Sequence, residues 1–265
     1  MPLRGHDVLL AIIGNHKFNA VLYATPDREQ GGYLREHSPK NQRQHGKFLQ
    51  VVGEDSALHR EVVDWFRSLP VYLDLPALRA AHACWHEPSL RALGPWLDED
   101  KRLLPEAWPL ATRKGHEVYS AIEILLKGLE IALPAGHAFH DKEGTRRAHA
   151  RTRWWQEGRP TYRETAFVPP TAVDELPDER IPPDQLPGYD GSQPLFLGHY
   201  WLTDAVPEPM TEHIASGLQR HAGTGQAGGV SVGWRVGVTA GGVCVGVGCH
   251  AELIGRQTAS ESTNR

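Results

Sequence analysis

The 265-residue chain carries 28 Lys and Arg against 32 Asp and Glu, and its formal charge of −4 argues against general affinity for nucleic acids. No apolar stretch approaches the ~18 residues that a membrane-spanning helix needs, and the N-terminus lacks the features of a signal peptide. The cysteines, Cys84, Cys244 and Cys249, have no CxxC spacing and indicate neither a disulfide framework nor a zinc ribbon. These features predict a cytoplasmic protein that does not bind membranes.

Apolar periodicity and turn residues divide the first part of the chain into a few elements. The run at residues 8–13 is β-prone and predicts a short strand. Residues 25–50 are polar and turn-rich and predict a long loop, whereas the apolar spacing at about 54–68 predicts a helix. Two short strands are expected next, at residues 71–73 and 78–83.

The second part of the chain contains one clear amphipathic helix and one clear strand. An apolar stripe predicts the helix at about residues 115–131. Residues 146–155 are basic and aromatic and are also expected to be helical. Residues 168–194 hold seven prolines and predict an extended surface loop, which leads into a strand at 195–197.

The residues after Ala215 differ in composition from the rest. From Ser216 to Arg265 there is no Pro, Asp, Lys, Phe or Tyr, whereas Gly and Val dominate. Glycine loses the most conformational entropy on folding, and few large side chains are present to offset that loss. We therefore expect one domain over residues 1–215 and a disordered tail over residues 216–265.

Histidines follow β-prone runs at three points along the chain. LLAIIGNH ends in Asn15 and His16, LRAAH ends in His82, and PLFLGH ends in His199. Because ligands of α/β proteins bind beyond the carboxyl ends of strands, we expect these side chains to converge. Imidazole nitrogens and an amide oxygen suit a borderline divalent cation such as zinc, manganese or iron. The pattern therefore indicates a candidate metal site.

The same residues carry a resemblance to a known family. Gly14-Asn15-His16 resembles the GNH(E) box of the calcineurin-like metallophosphoesterases. From about Arg4 to Ala215 the chain is similar to a bacterial branch of phosphoprotein-phosphatase-like metallophosphatases, in the strings GNHKFNAVLYATPD, VDWFRSLPVYLDL, HACWH, FHDKEGTRR and FLGHYW. The resemblance implies an α/β fold with a central β-sandwich flanked by helices. It also implies hydrolysis of phosphate monoesters by a metal-activated water.

The resemblance implies a role for each histidine that follows a strand. Asn15, His82 and His199 would bind one of the two divalent metal ions (Mn, Fe or Zn) that the intact family holds. His16 would not bind metal but would act as the general acid that protonates the leaving alcohol. The substrate would be a phosphoprotein or a small phosphorylated compound.

The chain departs from the family in ways that lower the expected activity. The family's GDxHG and GDxxDRG boxes supply the other metal ligands and a phosphate-binding Arg, and no GD dipeptide occurs in this chain. We therefore expect an N-terminally incomplete fold with an exposed strand edge, and at most one weakly held metal ion. Lys17 stands where the family usually has Glu, and would repel a metal ion if it points inward. The tail after Ser216 lies out of register with the family.

Three cationic residues are candidates for binding the substrate. Arg147 and Arg151 lie in the basic aromatic segment, and Lys127 in the predicted helix could reach a phosphate. The simpler alternative, which we favour for each of them alone, is a position in solvent on the outside of its element, as we also expect for His37, His45 and His86. Two other functions stay open: a non-catalytic degenerate fragment, and an interaction module that binds phosphate or nucleic acid through the basic aromatic segment.

Overall fold

The structure, a computed structural model, describes residues 10–156, 158–200, 214–216, 234–239 and 242–247, with side chains described as far as Tyr200. The chain divides into two compact units, residues 11–226 and a second unit formed by residues 1–10 with 227–265. The candidate site lies entirely in the first unit, which is described next.

Seven α-helices lie in the described part of the chain. They are α1 (Asn15–Ala24), α2 (Pro39–Val52), α3 (Ala57–Arg67), α4 (Glu87–Leu93), α5 (Ala107–Leu110), α6 (Glu117–Lys127) and α7 (Tyr162–Thr165). The predictions at 54–68 and 115–131 are confirmed as α3 and α6, although α6 stops earlier than expected because Gly128 takes a positive φ of 94°. None of the described helices is long and apolar enough to cross a membrane.

The prediction of a loop over residues 25–50 is wrong for its second half, which is helix α2. The Ser38 side chain accepts a hydrogen bond from the Asn41 backbone, and Pro39 occupies the first helical position. Phe48 holds the helix to α3, with its ring centroid 5.8 Å from that of Phe66. The Ser38-Pro39 pair therefore marks the start of a helix in a polar segment where hydrophobic periodicity alone predicts a loop.

Four strands form the main sheet, and two pairs of shorter strands lie beside it. In chain order the strands of this unit are β1 (Tyr72–Leu75), β2 (Leu78–Ala81), β3 (Glu130–Ala132), β4 (Phe139–His140), β5 (Arg146–Arg147), β6 (His149–Arg151), β7 (Leu195–Leu197) and β8 (Ile214–Ser216). The main sheet has the order β1-β2-β7-β8, with β1 antiparallel to β2 and the other pairs parallel. The smaller pairs are β3 with β6 and β4 with β5. The fold is therefore mixed α/β, and the strands predicted at 71–73, 78–83 and 195–197 are confirmed as β1, β2 and β7.

Two further sequence-based assignments are wrong. The described part of the first apolar run, residues 10–13, belongs to no strand; it is held by a hydrogen bond from the Ile13 amide to the Pro70 carbonyl, at 2.8 Å. Residues 146–155 are not helical but form β5, β6 and a turn. Pairing with β3 and burial of Trp154, whose indole N–H donates to the Ala83 carbonyl at 2.9 Å, outweigh the helix propensity of this segment.

The second unit is described only through one hairpin. Strands β9 (Trp234–Thr239) and β10 (Gly242–Val247) pair in antiparallel fashion. The other residues for which a disordered tail is predicted, 217–233, 240–241 and 248–265, lie outside the described part of the chain.

Candidate metal centre and adjoining cavity

Asn15, His82 and His199 come together at one edge of the main sheet. His82 directly follows β2 and His199 follows β7 by two residues, and these parallel strands are in register with Ala81 opposite Leu197. Parallel pairing places both carboxyl ends at the same edge, which the hydrogen bond from the Gly198 amide to the His82 carbonyl at 3.0 Å also holds together. Helix α1 begins at this edge with Asn15. We refer to Asn15, His82 and His199 as the triad.

The triad brings three atoms with lone pairs close to each other. His82 Nε2 lies 3.1 Å from Asn15 Oδ1 and 3.2 Å from His199 Nδ1, and the two imidazole rings are nearly perpendicular. In the absence of a cation, an imidazole N–H can donate across these contacts. Ligand atoms bonded at about 2.1 Å to one cation in adjacent positions are separated by roughly 3.0–3.4 Å. Both distances from His82 Nε2 therefore fit ligand atoms that share a single divalent cation.

Gly14 is required by the close approach of the His82 ring. A Cβ atom added at Gly14 would lie 2.8 Å from His82 Cε1 and 2.9 Å from Nδ1, well inside contact distance. The φ of Gly14 is −110°, which any residue can adopt, so the need for glycine is steric and not conformational. The glycine thus allows the start of α1 to pack directly on the imidazole.

The electrostatic surroundings keep both triad histidines neutral. Burial is the main cause that holds the pKa of His82 well below its ordinary value, followed by the charges of His199, Lys17 and His16. Burial and the Arg151 charge lower the pKa of His199 to about 4. Neutral imidazole is the form that binds metal ions. A cation near neutral pH would therefore meet neutral imidazoles, and no proton would have to be released to solvent.

The donor set fits one cation and not two. Its members are an amide and two imidazoles, and no group of three or more His, Cys, Asp or Glu residues with metal-binding geometry occurs within the described residues. Lys17 is half-buried, and its charge helps to lower the pKa of both His16 and His82. This agrees with the inward orientation, in which Lys17 would repel a metal ion. A cation at the triad would therefore meet neutral ligands and a nearby positive charge, so weak binding is expected.

Arg151 lies behind the triad and contacts His199. Its Nη1 is 3.5 Å from His199 Nε2, and its Nη2 donates to Glu130 Oε1 at 2.9 Å. Because arginine can only donate, this contact needs an unprotonated Nε2 and hence a proton on Nδ1. Binding of a cation through Nδ1 needs the opposite tautomer, so Arg151 would then have to give up this contact and keep Glu130.

A polar cavity of about 260 Å³ opens beside the triad. It is bounded by residues of α1, α2 and α6 and by one loop residue, namely Asn15, His16, Asn19, Arg35, Asn41, Gln44, His45 and Lys127. His16 is exposed, and partial burial together with the charges of Lys17 and Arg35 lowers its pKa. The first turn of α1 thus connects the two sites. Asn15 is a member of the triad and also lines the cavity, and His16 lines the cavity next to it.

The three residues predicted to bind substrate lie in three different places. Lys127 lines the cavity and forms an ion pair with Glu123. Arg151 lies at the triad. Arg147 lies in the exposed hairpin formed by β4 and β5, where it pairs with Asp141 at 2.7 Å, and the structure does not bring it to the cavity.

Several cavity residues were not identified from the sequence. Asn19, Arg35, Asn41 and Gln44 line the cavity, and the signal that could have found one of them was the helical i, i+4 spacing of Asn19 from Asn15. The prediction that His45 lies at the surface is wrong. Its exposed fraction is 9%, because α2 turns this face towards Tyr23 and Phe48.

His37 is also less exposed than predicted. It is half-buried because its ring stacks between those of Tyr23 and Tyr33, at centroid distances of 3.7 and 4.1 Å. Its Nε2 lies 2.8 Å from the Tyr23 carbonyl. His37 therefore has a packing role next to α1.

Comparison with protein-family models, with curated proteins and with solved structures found no match for this chain. The functional argument therefore depends on the geometry of the chain's own residues.

Proposed function

We propose that this chain is a metal-dependent phosphoesterase with a calcineurin-like β-sandwich that hydrolyses phosphate monoesters. One observation carries the proposal: His82 Nε2 lies within 3.2 Å of both Asn15 Oδ1 and His199 Nδ1, at the start of the helix that also presents His16 to a cavity. The triad would hold one Mn, Fe or Zn ion. The location that fits this activity is the cytoplasm.

The chemistry divides between the cation and the protein. A divalent cation at the triad would polarise the phosphoryl oxygens and lower the pKa of water. The water oxygen bonds to phosphorus as the phosphorus–oxygen bond to the alcohol breaks, and one proton of the water is lost to solvent. His16 donates a proton from its imidazolium form, which its lowered pKa makes the minor form at neutral pH, to the departing alcohol oxygen, so that the products are a neutral alcohol and inorganic phosphate.

The cationic residues near the site support a phosphorylated substrate. Lys127 lies in the cavity wall and Arg151 at the triad, so both are placed to interact with an anion that reaches the cation. The contacts of Arg147 lie within its own hairpin and lend no support to a role in binding substrate.

Hydrolysis of an aryl phosphate tests the proposal. The full chain, freed of metal and resupplied with Mn²⁺ or Zn²⁺, is expected to release p-nitrophenol, and a chelator is expected to abolish the release. On an alkyl phosphate, whose alcohol must be protonated as it leaves, His16→Asn should lower kcat by about 10²–10⁴-fold and leave metal binding by calorimetry unchanged; release of p-nitrophenolate, which needs no proton, should fall less. Turnover that is indifferent to chelators, or equal in His82→Asn, would overturn the assignment.

The non-catalytic alternative has one observation in its favour. The triad contains no carboxylate, and its members can satisfy one another by hydrogen bonds without a cation. If calorimetry detects metal binding but no phosphate ester is hydrolysed, the chain is a metal-binding fragment. The nucleic-acid module loses support, because Trp154 and Trp155 are buried and cannot stack on bases.

A further inference from the structure

The cavity lies on the leaving-group side of the triad. Its walls include Asn15 and His16 but neither His82 nor His199. In the proposed reaction the phosphoryl group must reach the triad, and His16 must reach the oxygen of the alcohol. The part of the substrate that occupies the cavity is therefore the alcohol and not the phosphate.

Among the described residues, Arg35 is a cavity cation with no carboxylate in direct contact; burial lowers its pKa, and the more distant Glu123, which pairs with Lys127, raises it. Its Nη1 donates to Asn19 Oδ1 at 3.1 Å, and its Nη2 donates to Asn41 Oδ1 and Gln44 Oε1 at 2.9 Å each. All three acceptors are neutral amides, and no carboxylate lies within 4.0 Å of the guanidinium among the described residues. Because amides are neutral, these hydrogen bonds hold the guanidinium in place without neutralising its positive charge. Two of its five N–H groups are not used in these bonds.

The rest of the lining agrees with an anionic, hydrogen-bonding ligand. No Asp or Glu contributes to the cavity wall, and the other cation there, Lys127, already has an ion pair with Glu123. His45 is buried, and its Nε2 has no hydrogen-bond partner within the described part of the chain. Less than 1 Å² of this nitrogen is accessible, so it does not reach the open volume of the cavity, and the argument for an anionic ligand rests on Arg35.

We propose that the cavity binds the alcohol portion of a small phosphate monoester that carries a second anionic group, and that Arg35 binds this second group. The proposal rests on the proposed function, because it takes the phosphoryl group to be at the triad. A volume of about 260 Å³ lies just below the range of about 300–1,000 Å³ that is usual for ligand pockets, so it favours a small ligand. A short-chain phosphocarboxylate fits this description, whereas a segment of a folded phosphoprotein does not.

Two ligands that differ in the second anion alone provide the test. Phosphoglycolate has a carboxylate, and ethyl phosphate has the same chain length without one. Calorimetry or ligand-observed NMR on the full-length chain is expected to give at least tenfold tighter binding of phosphoglycolate. Arg35→Gln should remove this preference, and Arg35→Lys should keep part of it, since lysine retains the charge without the planar fork.

Arg43→Gln is the matched control. Arg43 is exposed on the same helix, α2, and does not line the cavity, so its loss reports the general effect of one fewer positive charge. Equal binding of the two ligands by the unaltered chain, or a preference that survives in Arg35→Gln, overturns the proposal. If Arg35→Gln does not fold, as judged by thermal unfolding, Arg35→Lys decides: an undiminished preference there contradicts the role of the guanidinium fork.

The variant His82→Asn separates this inference from the proposed function. It removes a triad ligand and leaves the residues that line the cavity unchanged. A chain that never hydrolyses phosphate esters but still prefers phosphoglycolate, with or without His82, retains the anion site and loses the esterase assignment. A chain that hydrolyses aryl phosphate but shows no preference for the second anion retains the esterase assignment and loses the role given to Arg35.

Discussion

The triad and the cavity share the start of helix α1 but are built in different ways. The triad depends on backbone: two parallel strands in register and a glycine that packs on an imidazole set the positions of its atoms. The cavity depends on side chains, since amides of α1 and α2 hold Arg35 in place. Changes at the triad should therefore alter metal binding steeply, whereas changes in the cavity should alter ligand preference and leave the fold intact.

Removal of a triad ligand should have the largest effect. His82→Ala takes away the nitrogen that lies between Asn15 Oδ1 and His199 Nδ1. We expect the affinity for Mn²⁺ or Zn²⁺ to fall by at least about a hundredfold, beyond the loss typical of groups that only support a ligand. Calorimetric titration measures this, with His149→Ala, which changes an exposed histidine, as the control. Equal affinities in His82→Ala and the unaltered chain would remove the triad as a metal site.

Gly14→Ala should disturb the triad without changing any ligand. The new methyl group would overlap the His82 ring, so the ring or the start of α1 has to move. We expect a loss of about 1–3 kcal/mol in the free energy of unfolding and weaker metal binding.

Gly46→Ala is the control for this change. Gly46 lies within α2 with no atom near an added Cβ, so alanine there should stabilise the helix by up to about 1 kcal/mol. If the two alanine variants unfold at the same denaturant concentration, the steric explanation for Gly14 is wrong.

Acid should destabilise the cavity wall through His45. Burial, then the charges of His59, Arg35, His16 and His37, lowers the pKa of His45 to about 4. The unfolded chain binds a proton below about pH 6.5 and the folded chain does not, so stability is full above that pH and falls below it. Between pH 7 and pH 5, His45 alone should lower the free energy of unfolding by about 2 kcal/mol.

The variant His45→Gln should lose less stability over the same pH interval. Denaturant unfolding at both pH values measures the difference, and His149→Gln should leave the pH dependence as it is. If His45→Gln is as sensitive to acid as the unaltered chain, the buried neutral state of His45 is not its source.

The smallest predicted effect concerns Arg151 and is an increase. Arg151→Gln removes a positive charge and the contact that needs an unprotonated Nε2 on His199. We expect metal affinity to rise by about threefold to tenfold, within the range of one nearby charge. Calorimetry detects this, with Arg146→Gln in the exposed hairpin as the control. Unchanged or weaker binding in Arg151→Gln would show that Arg151 does not oppose the cation.

Apolar runs that end in a polar residue were sufficient to find the triad, although the run before Asn15 is not a strand, but they did not reveal the cavity. His82 and His199 could be identified because each follows an apolar run whose end sets the edge of a sheet, a local property of the chain. Arg35 could not be identified in this way, because its importance arises from three amides on two helices, and the polar composition of residues 25–50 predicts a loop where α2 lies. His45 was misplaced for the same reason.

The sequence by itself determined the mixed α/β character, helices α3 and α6, strands β1, β2 and β7, and the polar residues that follow β2 and β7. Only the tertiary structure decided that residues 146–151 form strands, that Lys17 lies half-buried near the triad, and that Arg35 lacks a carboxylate partner. The physical reason is one of range. Periodicity and capping act between neighbours in the chain, whereas strand pairing, burial and the compensation of a charge depend on residues that are distant in sequence and meet only after folding.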